Sequence, residues 1–169
     1  LTLALSSLTL EDSVQSTGIT TVVNIVPQNV TACVFQNLSL DVSVSNVTGL
    51  YGWEFRLNWT APLLATVNVT EGPFLKTGGN TFFTYNPNDT EGHIIVDCTL
   101  LGNILGVSGD GVLATITFCV NGEGQSSLNL YNATLIGSNL NKIPCEVAGG
   151  YGYFTSACGL PGGNRKYVC

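Results

Sequence analysis

Seven asparagines stand two residues before a serine or threonine, and they are the most numerous positions in this chain at which a defined chemistry could act. They are Asn29, Asn37, Asn46, Asn58, Asn68, Asn88 and Asn132. Sixteen asparagines and 31 serines plus threonines in 169 residues would give roughly three such tripeptides by composition alone, so seven is an excess. The chemistry is attachment of a glycan to the asparagine amide, and it needs an accessible side chain. Alternation supplies that access. Tyr51, Trp53, Phe55, Leu57 and Trp59 share one face of an extended segment, while Gly52, Glu54, Arg56, Asn58 and Thr60 share the other. Leu38, Leu40, Val42 and Val44 oppose Ser39, Asp41, Ser43 and Ser45 in the same way, which places Asn37 on the polar parity; Asn68 sits between Val67 and Val69.

The six cysteines, Cys33, Cys98, Cys119, Cys145, Cys158 and Cys169, are widely and irregularly spaced. Zinc and thioredoxin-type sites use close pairs, so the even count reads as disulfides formed in an oxidising compartment. Sequence alone does not choose the connectivity. Cys158 and Cys169 flank a short Gly/Pro loop, which favours that pair; buried free thiols are the alternative.

Catalytic readings are poorly supplied. His93 is the single histidine; its nearest acid, Asp97, lies four residues along the same strand, over ~13 Å away. Carboxylates for glycoside hydrolysis would come from Glu54, Asp97 or Asp110, yet no motif selects a pair. Asp89, Glu91 and Asp97 are candidate calcium ligands without a calcium-loop pattern. The glycines from Gly102 to Gly111 lack the lysine of a phosphate loop. The expectation is a protein that is not an enzyme and has no cofactor or metal. Hydrophobic residues make up 44% and charged residues 9%, with a net charge of −6; five Lys and Arg cannot neutralise nucleic acid. No run reaches the roughly 18 apolar residues of a membrane span. The absence of Met implies a processed or excerpted chain.

The elements that must position these residues are strands. Candidates are Thr20–Val26, Asn37–Ser45, Tyr51–Trp59, Ala65–Thr70, Thr81–Tyr85, His93–Leu100, Val112–Val120, Ser127–Tyr131 and Gly150–Phe154, with no helix signal. Turn chemistry separates them at Asn46–Gly49, Gly78–Asn80, Asn86–Asn88, Gly109–Gly111, Asn121-Gly122 and Gly149-Gly150. About nine such strands predict an all-β chain, a two-sheet sandwich. It carries an extra N-terminal strand (1–19) before a body at 20–155, and a disulfide-stapled loop at 156–169.

Asn46-Val-Thr-Gly-Leu-Tyr-Gly-Trp-Glu-Phe-Arg-Leu-Asn58, Gly72-Pro-Phe-Leu75 and Gly109-Asp-Gly-Val-Leu-Ala-Thr-Ile-Thr-Phe118 resemble corresponding stretches of cohesin domains. The resemblance covers roughly residues 20–155 and implies a jelly-roll sandwich like those of cohesins and carbohydrate-binding modules. Cohesins bind dockerin modules, and cohesin-like domains of archaeal surface proteins occur in other structural contexts.

Ahead of that body, Leu1, Leu3 and Leu5 alternate with small polar residues; after a slip at Ser6-Ser7, Leu8 and Leu10 continue, as a bulge would accommodate. An uncharged apolar strand cannot stay in water. It is expected to pack either on its own sandwich or on the next copy, as in donor-strand assemblies that propagate head to tail; a leftover signal-peptide core is the remaining reading. The sequence-based expectation is a structural subunit of an archaeal extracellular filament or surface assembly, secreted, partnered by copies of itself or by other surface proteins and glycans. The alternative is a non-catalytic cohesin-type module that captures a partner protein or a carbohydrate.

Overall fold

The alternating burial of single segments, apolar inward and polar outward, assembles into a β-sandwich in the computed structural model, which describes residues 20–158. Among them, eleven strands and one helical turn follow in order: β1 (Val22–Val26), β2 (Asn29–Cys33), β3 (Asn37–Asn58), β4 (Leu64–Glu71), α1 (Pro73–Lys76), β5 (Thr81–Asn88), β6 (His93–Leu100), β7 (Val107–Val120), β8 (Gly124–Gly137), β9 (Lys142–Ile143), β10 (Glu146–Ala148) and β11 (Gly150–Thr155). No described helix is long and apolar enough to cross a membrane.

The organising element is β3, 22 residues long. Its first half pairs with β1 and β7; its second half pairs with β6 and β8. One layer therefore runs β4-β7-β3-β1-β10 and the other β5-β6-β3-β8-β11-β2. The ladders β1–β10 and β2–β11 are parallel. Between the layers lie Ile25, Leu40, Val42, Ile116 and Phe118 from one side and Phe55, Leu57, Ile94, Val96 and Phe154 from the other, all buried.

Sequence alternation predicts two strands where β3 is one. Both parities hold: 40, 42 and 44 face the core in the first half, 53, 55 and 57 in the second. Buried side chains fall at Val44, Val47, Leu50 and Trp53, so the expected turn at Asn46–Gly49 is instead a double irregularity within a continuous strand, and a further register shift to β8 between Leu50 and Gly52 completes the change of parity. Asn46 (φ 56°) and Gly49 (φ 67°) adopt left-handed conformations, and the register to β7 shifts on both sides of Val47. Asp110 Oδ1 accepts the Asn46 N–H at 2.6 Å and Ser108 Oγ accepts the Gly49 N–H at 2.8 Å. Neighbouring β7 thus satisfies donors that a free turn would expose, and the bend carries the chain from one layer to the other.

Other expectations shift for similar reasons. Gly109–Gly111 lies inside β7 opposite this bend, and Asn86–Asn88 ends β5 ahead of the turn at 89–92. β9 and β10 are too short to show alternation, and the five-residue β2 lies outside the expected strands; each is paired by a neighbour that supplies its ladder. The turn α1 opens at Pro73, where a missing N–H costs nothing. In β4 a bulge between Thr66 and Asn68 leaves Val67 exposed beside Asn68.

The favoured Cys158–Cys169 pairing is replaced by Cys33–Cys158, with Cα atoms 5.9 Å apart. The β2–β11 ladder sets Cys33 opposite Thr155, so the chain leaving β11 returns to it. Cys119 is disulfide-bonded as well. Cys98 and Cys145 are free thiols, not bridge partners. Cys98 lies on the inward parity of β6, 3% exposed, and its S–H points to Glu71 Oε1 at 3.4 Å. Burial, then the Glu71 charge, pushes the thiol up to about 12. Burial also raises Cys145.

Candidate functional site

The outer side of the β5-β6-β3-β8 layer is a ruled surface, because its four strands are in antiparallel register. Four rows cross it. Phe82, Thr99, Gly52 and Ile136 form the first; Thr84, Asp97, Glu54 and Thr134 the second. Asn86, Ile95, Arg56 and Tyr131 form the third, and Asn88, His93, Asn58 and Asn129 the fourth. Successive rows are about 7 Å apart.

The first two rows hold a groove of about 360 Å³, lined by Tyr51, Gly52, Glu54, Phe82, Asp97, Ile136 and Leu140 among others. Gly52 makes the depression: a Cβ there would lie 3.2 Å from Thr99 Oγ1 and 3.3 Å from the Cys98 carbonyl oxygen. Phe82 (59% exposed) and Leu140 (78%) flank it, and the Tyr51 hydroxyl donates to the Gly102 carbonyl. Large apolar side chains left in water at the lip of a depression have a surface to offer another molecule.

Acidity concentrates in the second row. Glu54 and Asp97 are direct cross-strand neighbours, a destabilising arrangement for like charges. Desolvation first, then the Glu54 charge, raises Asp97 above the ordinary carboxylate value, with Arg56 opposing. Arg56 Nε stands 3.5 Å from Glu54 Oε1. The site is therefore an apolar depression beside a pair of carboxylates, suited to receiving a cation next to an apolar group.

The sequence singled out Glu54 and Asp97 as carboxylates but gave no reason to join them to Phe82, Ile136 and Leu140. Only the register does so. Asp110, the third carboxylate, is committed to the Asn46 amide in the bend. His93 Nδ1 faces Glu91 Oε2 at 3.5 Å, not Asp97. The calcium candidates disperse: Asp89 Oδ1 accepts the Thr66 N–H at 2.9 Å, Glu91 meets His93, and Asp97 meets Glu54. Among the described residues no three His, Cys, Asp or Glu side chains group to hold a metal.

Of the seven sequon asparagines, Asn29, Asn37, Asn46, Asn68 and Asn132 are exposed, and Asn58 and Asn88 are half-buried in the fourth row. Leu1, Leu3, Leu5, Leu8 and Leu10 lie outside the described residues.

The Cohesin domain family model matches residues 23–149. A non-cellulosomal cohesin from the hyperthermophilic archaeon Archaeoglobus fulgidus superposes with a TM-score of 0.66 at 18% identity, covering 80% of this chain and 91% of that one. The seventh ScaB type I cohesin of Pseudobacteroides cellulosolvens gives 0.69 at 21% identity, over 86% and 99%. The Coh-OlpA–Doc918 cohesin–dockerin complex of Clostridium thermocellum gives 0.68 at 20% identity, over 80% and 99%. At these identities the structures establish the fold. No curated protein matches.

Proposed function

The chain belongs to the cohesin domain family, and from that premise we propose that it is a non-catalytic protein-binding module that docks a partner on the outer side of β5-β6-β3-β8. The observation that carries this reading is the groove in which exposed Phe82 and Leu140 share a lining with the Glu54–Asp97 pair. The matching partner is a protein element presenting an apolar anchor beside a Lys or Arg. Burying the anchor supplies affinity, and the cation relieves the carboxylate repulsion, which gives orientation and specificity. The chain's net charge of −6 assists encounter with such a partner. A cohesin similar in fold is known in complex with a dockerin, which supports partner capture as the mode of action.

The setting is extracellular. Disulfides at Cys33, Cys158 and Cys119 fit an oxidising compartment. Seven sequon asparagines without one fully buried would let glycans replace charge in keeping a surface this poor in Lys, Glu, Asp and Arg in water.

Selecting peptides and small helical domains from a displayed library on the purified chain tests the docking face. Winners are expected to carry Lys or Arg next to Leu, Ile or Phe, and to shift the amide signals of Gly52, Thr99 and Ile136. Replacing Phe82 and Leu140 by Ser should weaken them roughly tenfold or more without changing the melting temperature. Ligands that map to the β4-β7-β3-β1-β10 layer would refute the proposal.

A second reading, head-to-tail polymerisation into a filament or surface layer, draws support from one observation. Among the described residues β5 pairs only with β6, leaving an edge that carries exposed Phe82 and Tyr85. The leucine-studded segment Leu1–Leu10 of another copy has the alternation to add there as a strand. Electron microscopy should then show fibres that deletion of residues 1–10 abolishes; a deletion that leaves assembly unchanged removes this reading.

A further inference from the structure

A second surface, away from the docking groove, collects aromatic rings and amides around one sequon. Tyr151 and Tyr153 are 39% and 47% exposed, two residues apart on β11 and therefore on one face. The parallel ladder to β2 sets Asn29 beside Tyr151 and Thr31 beside Tyr153. The ladder to β8 sets Ser127 and Gln125 on their other flank. Both recognition residues of Asn29-Val30-Thr31 are thus exposed in the two rows that carry the tyrosines. The Tyr151 hydroxyl donates to Gln125 Oε1, so its ring leans toward β8.

A polar groove of about 410 Å³ opens at the end of these rows, lined by Gln28, Asn29, Ser127, Asn129, Gly149 and Gly150. Its depth depends on the two glycines. A Cβ on Gly149 would come within 2.6 Å of the Leu128 carbonyl oxygen, and one on Gly150 within 2.6 Å of that of Gln28.

We propose that Asn29 carries a glycan whose first pyranose lies in this groove with one face against Tyr151. A pyranose presents C–H bonds on its faces and hydroxyls at its rim. The tyrosine ring takes a C–H face, while the side chains of Gln28, Ser127 and Asn129 offer donors and acceptors to the rim. The bond made joins Asn29 Nδ2 to the anomeric carbon of a lipid-phosphate-activated oligosaccharide, in a secretory transferase. The anomeric C–O bond breaks, the lipid phosphate leaves with its electron pair, and the amide loses one proton to solvent. Once attached, the sugar occupies the groove without the translational cost a free saccharide meets. The glycan thereby clamps edge strand β2 to β11 from outside. Nothing in this rests on the groove at Phe82 and Leu140.

The full chain, secreted from an N-glycosylating host, provides the test. Mass spectrometry should find Asn29 occupied. Trimming every glycan to its first sugar should leave the melting temperature unchanged, whereas Asn29→Gln should lower it by about 2–4 °C. Tyr151→Ala should produce a similar loss that Asn29→Gln does not deepen, and Tyr151→Phe, which keeps the ring, should preserve the glycan's effect. Asn37→Gln, away from any tyrosine platform, should move the melting temperature by under about 1 °C. Additive losses from Asn29→Gln and Tyr151→Ala, or an unmodified Asn29 beside occupied neighbours, would overturn the proposal. So would saturable binding of free N-acetylglucosamine to the Asn29→Gln variant at this groove, since that makes it a site for outside saccharides.

Discussion

Replacing Cys33 and Cys158 together by Ser isolates what one bridge does for the sandwich. The bridge spans 125 residues of sequence, and chain entropy assigns a loop of that length about 5 kcal/mol. Two features lower the expectation. Cys119 is also bridged, so the reference chain is already restricted, and measured bridges typically contribute about 2–4 kcal/mol. Taking about 3 kcal/mol, the melting temperature should fall by roughly 6–12 °C for a domain of this size. The loss should also have a location. β2 has one ladder among the described residues, to β11, extended at its two ends by the Tyr151 N–H bond to the Gln28 carbonyl at 2.6 Å and the Val34 N–H bond to the Thr155 carbonyl at 3.2 Å. Amides of Asn29–Cys33 should therefore lose hydrogen-exchange protection first, while those of Leu40–Val44 retain theirs. Calorimetry and exchange on the variant check both parts. A fall below about 2 °C, or protection lost evenly across both layers, would refute the reasoning that this bridge anchors an otherwise single-laddered edge.

Three further outcomes follow from individual residues. Cys98, pushed up to about 12 from 9.0, should react with iodoacetamide at pH 8 about a thousandfold more slowly than an unperturbed thiol; comparable rates in native and unfolded protein would contradict its burial. Asp97 has a folded-state value above 3.8, so the folded form binds its proton more readily than the unfolded form and ionisation opposes folding. That penalty is full at neutral pH and fades as pH falls through the raised value toward 3.8, so Asp97→Asn should raise the melting temperature at pH 7 and the difference should narrow on acidification. Gly49 has φ 67°, and nothing lies within 4 Å of the place a Cβ would take. Gly49→Ala should therefore cost only the left-handed backbone term, about 1–2 kcal/mol, and Gly49→Asn should cost less; equal stability of all three would mean that the β3 bend is not held there.

How much was legible can be judged from β3. Leu40, Val42 and Val44 against Trp53, Phe55 and Leu57 gave both buried faces and the all-β class, because alternation is a local property of an extended chain. The same residues could not say that the chain runs on through Asn46–Gly49. An isolated Asn-x-x-Gly reads as a turn, and it becomes a bend only when Ser108 and Asp110 of β7 accept its amides. The short strands β2, β9 and β10 were invisible for the same reason: each is made by its neighbour's free edge.

The sites divide likewise. Sequons are triplets, visible in the chain without any fold, and local parity turned Asn37, Asn58 and Asn68 toward solvent. Asn37 and Asn68 are exposed, while Asn58 is half-buried because β6 and β8 flank it on both sides. Disulfide partners, by contrast, depend on which chain ends meet, and only the parallel β2–β11 ladder brings Cys158 to Cys33. The groove at Phe82 and Leu140 depends on distance of the same kind. Composition and periodicity determined that this chain is a charge-poor sandwich with sequons available at its surface, since those properties are carried residue by residue. Which side chains share a row was decided by the tertiary structure alone, because register joins Phe82, Asp97, Glu54 and Ile136 across four strands that the sequence holds far apart.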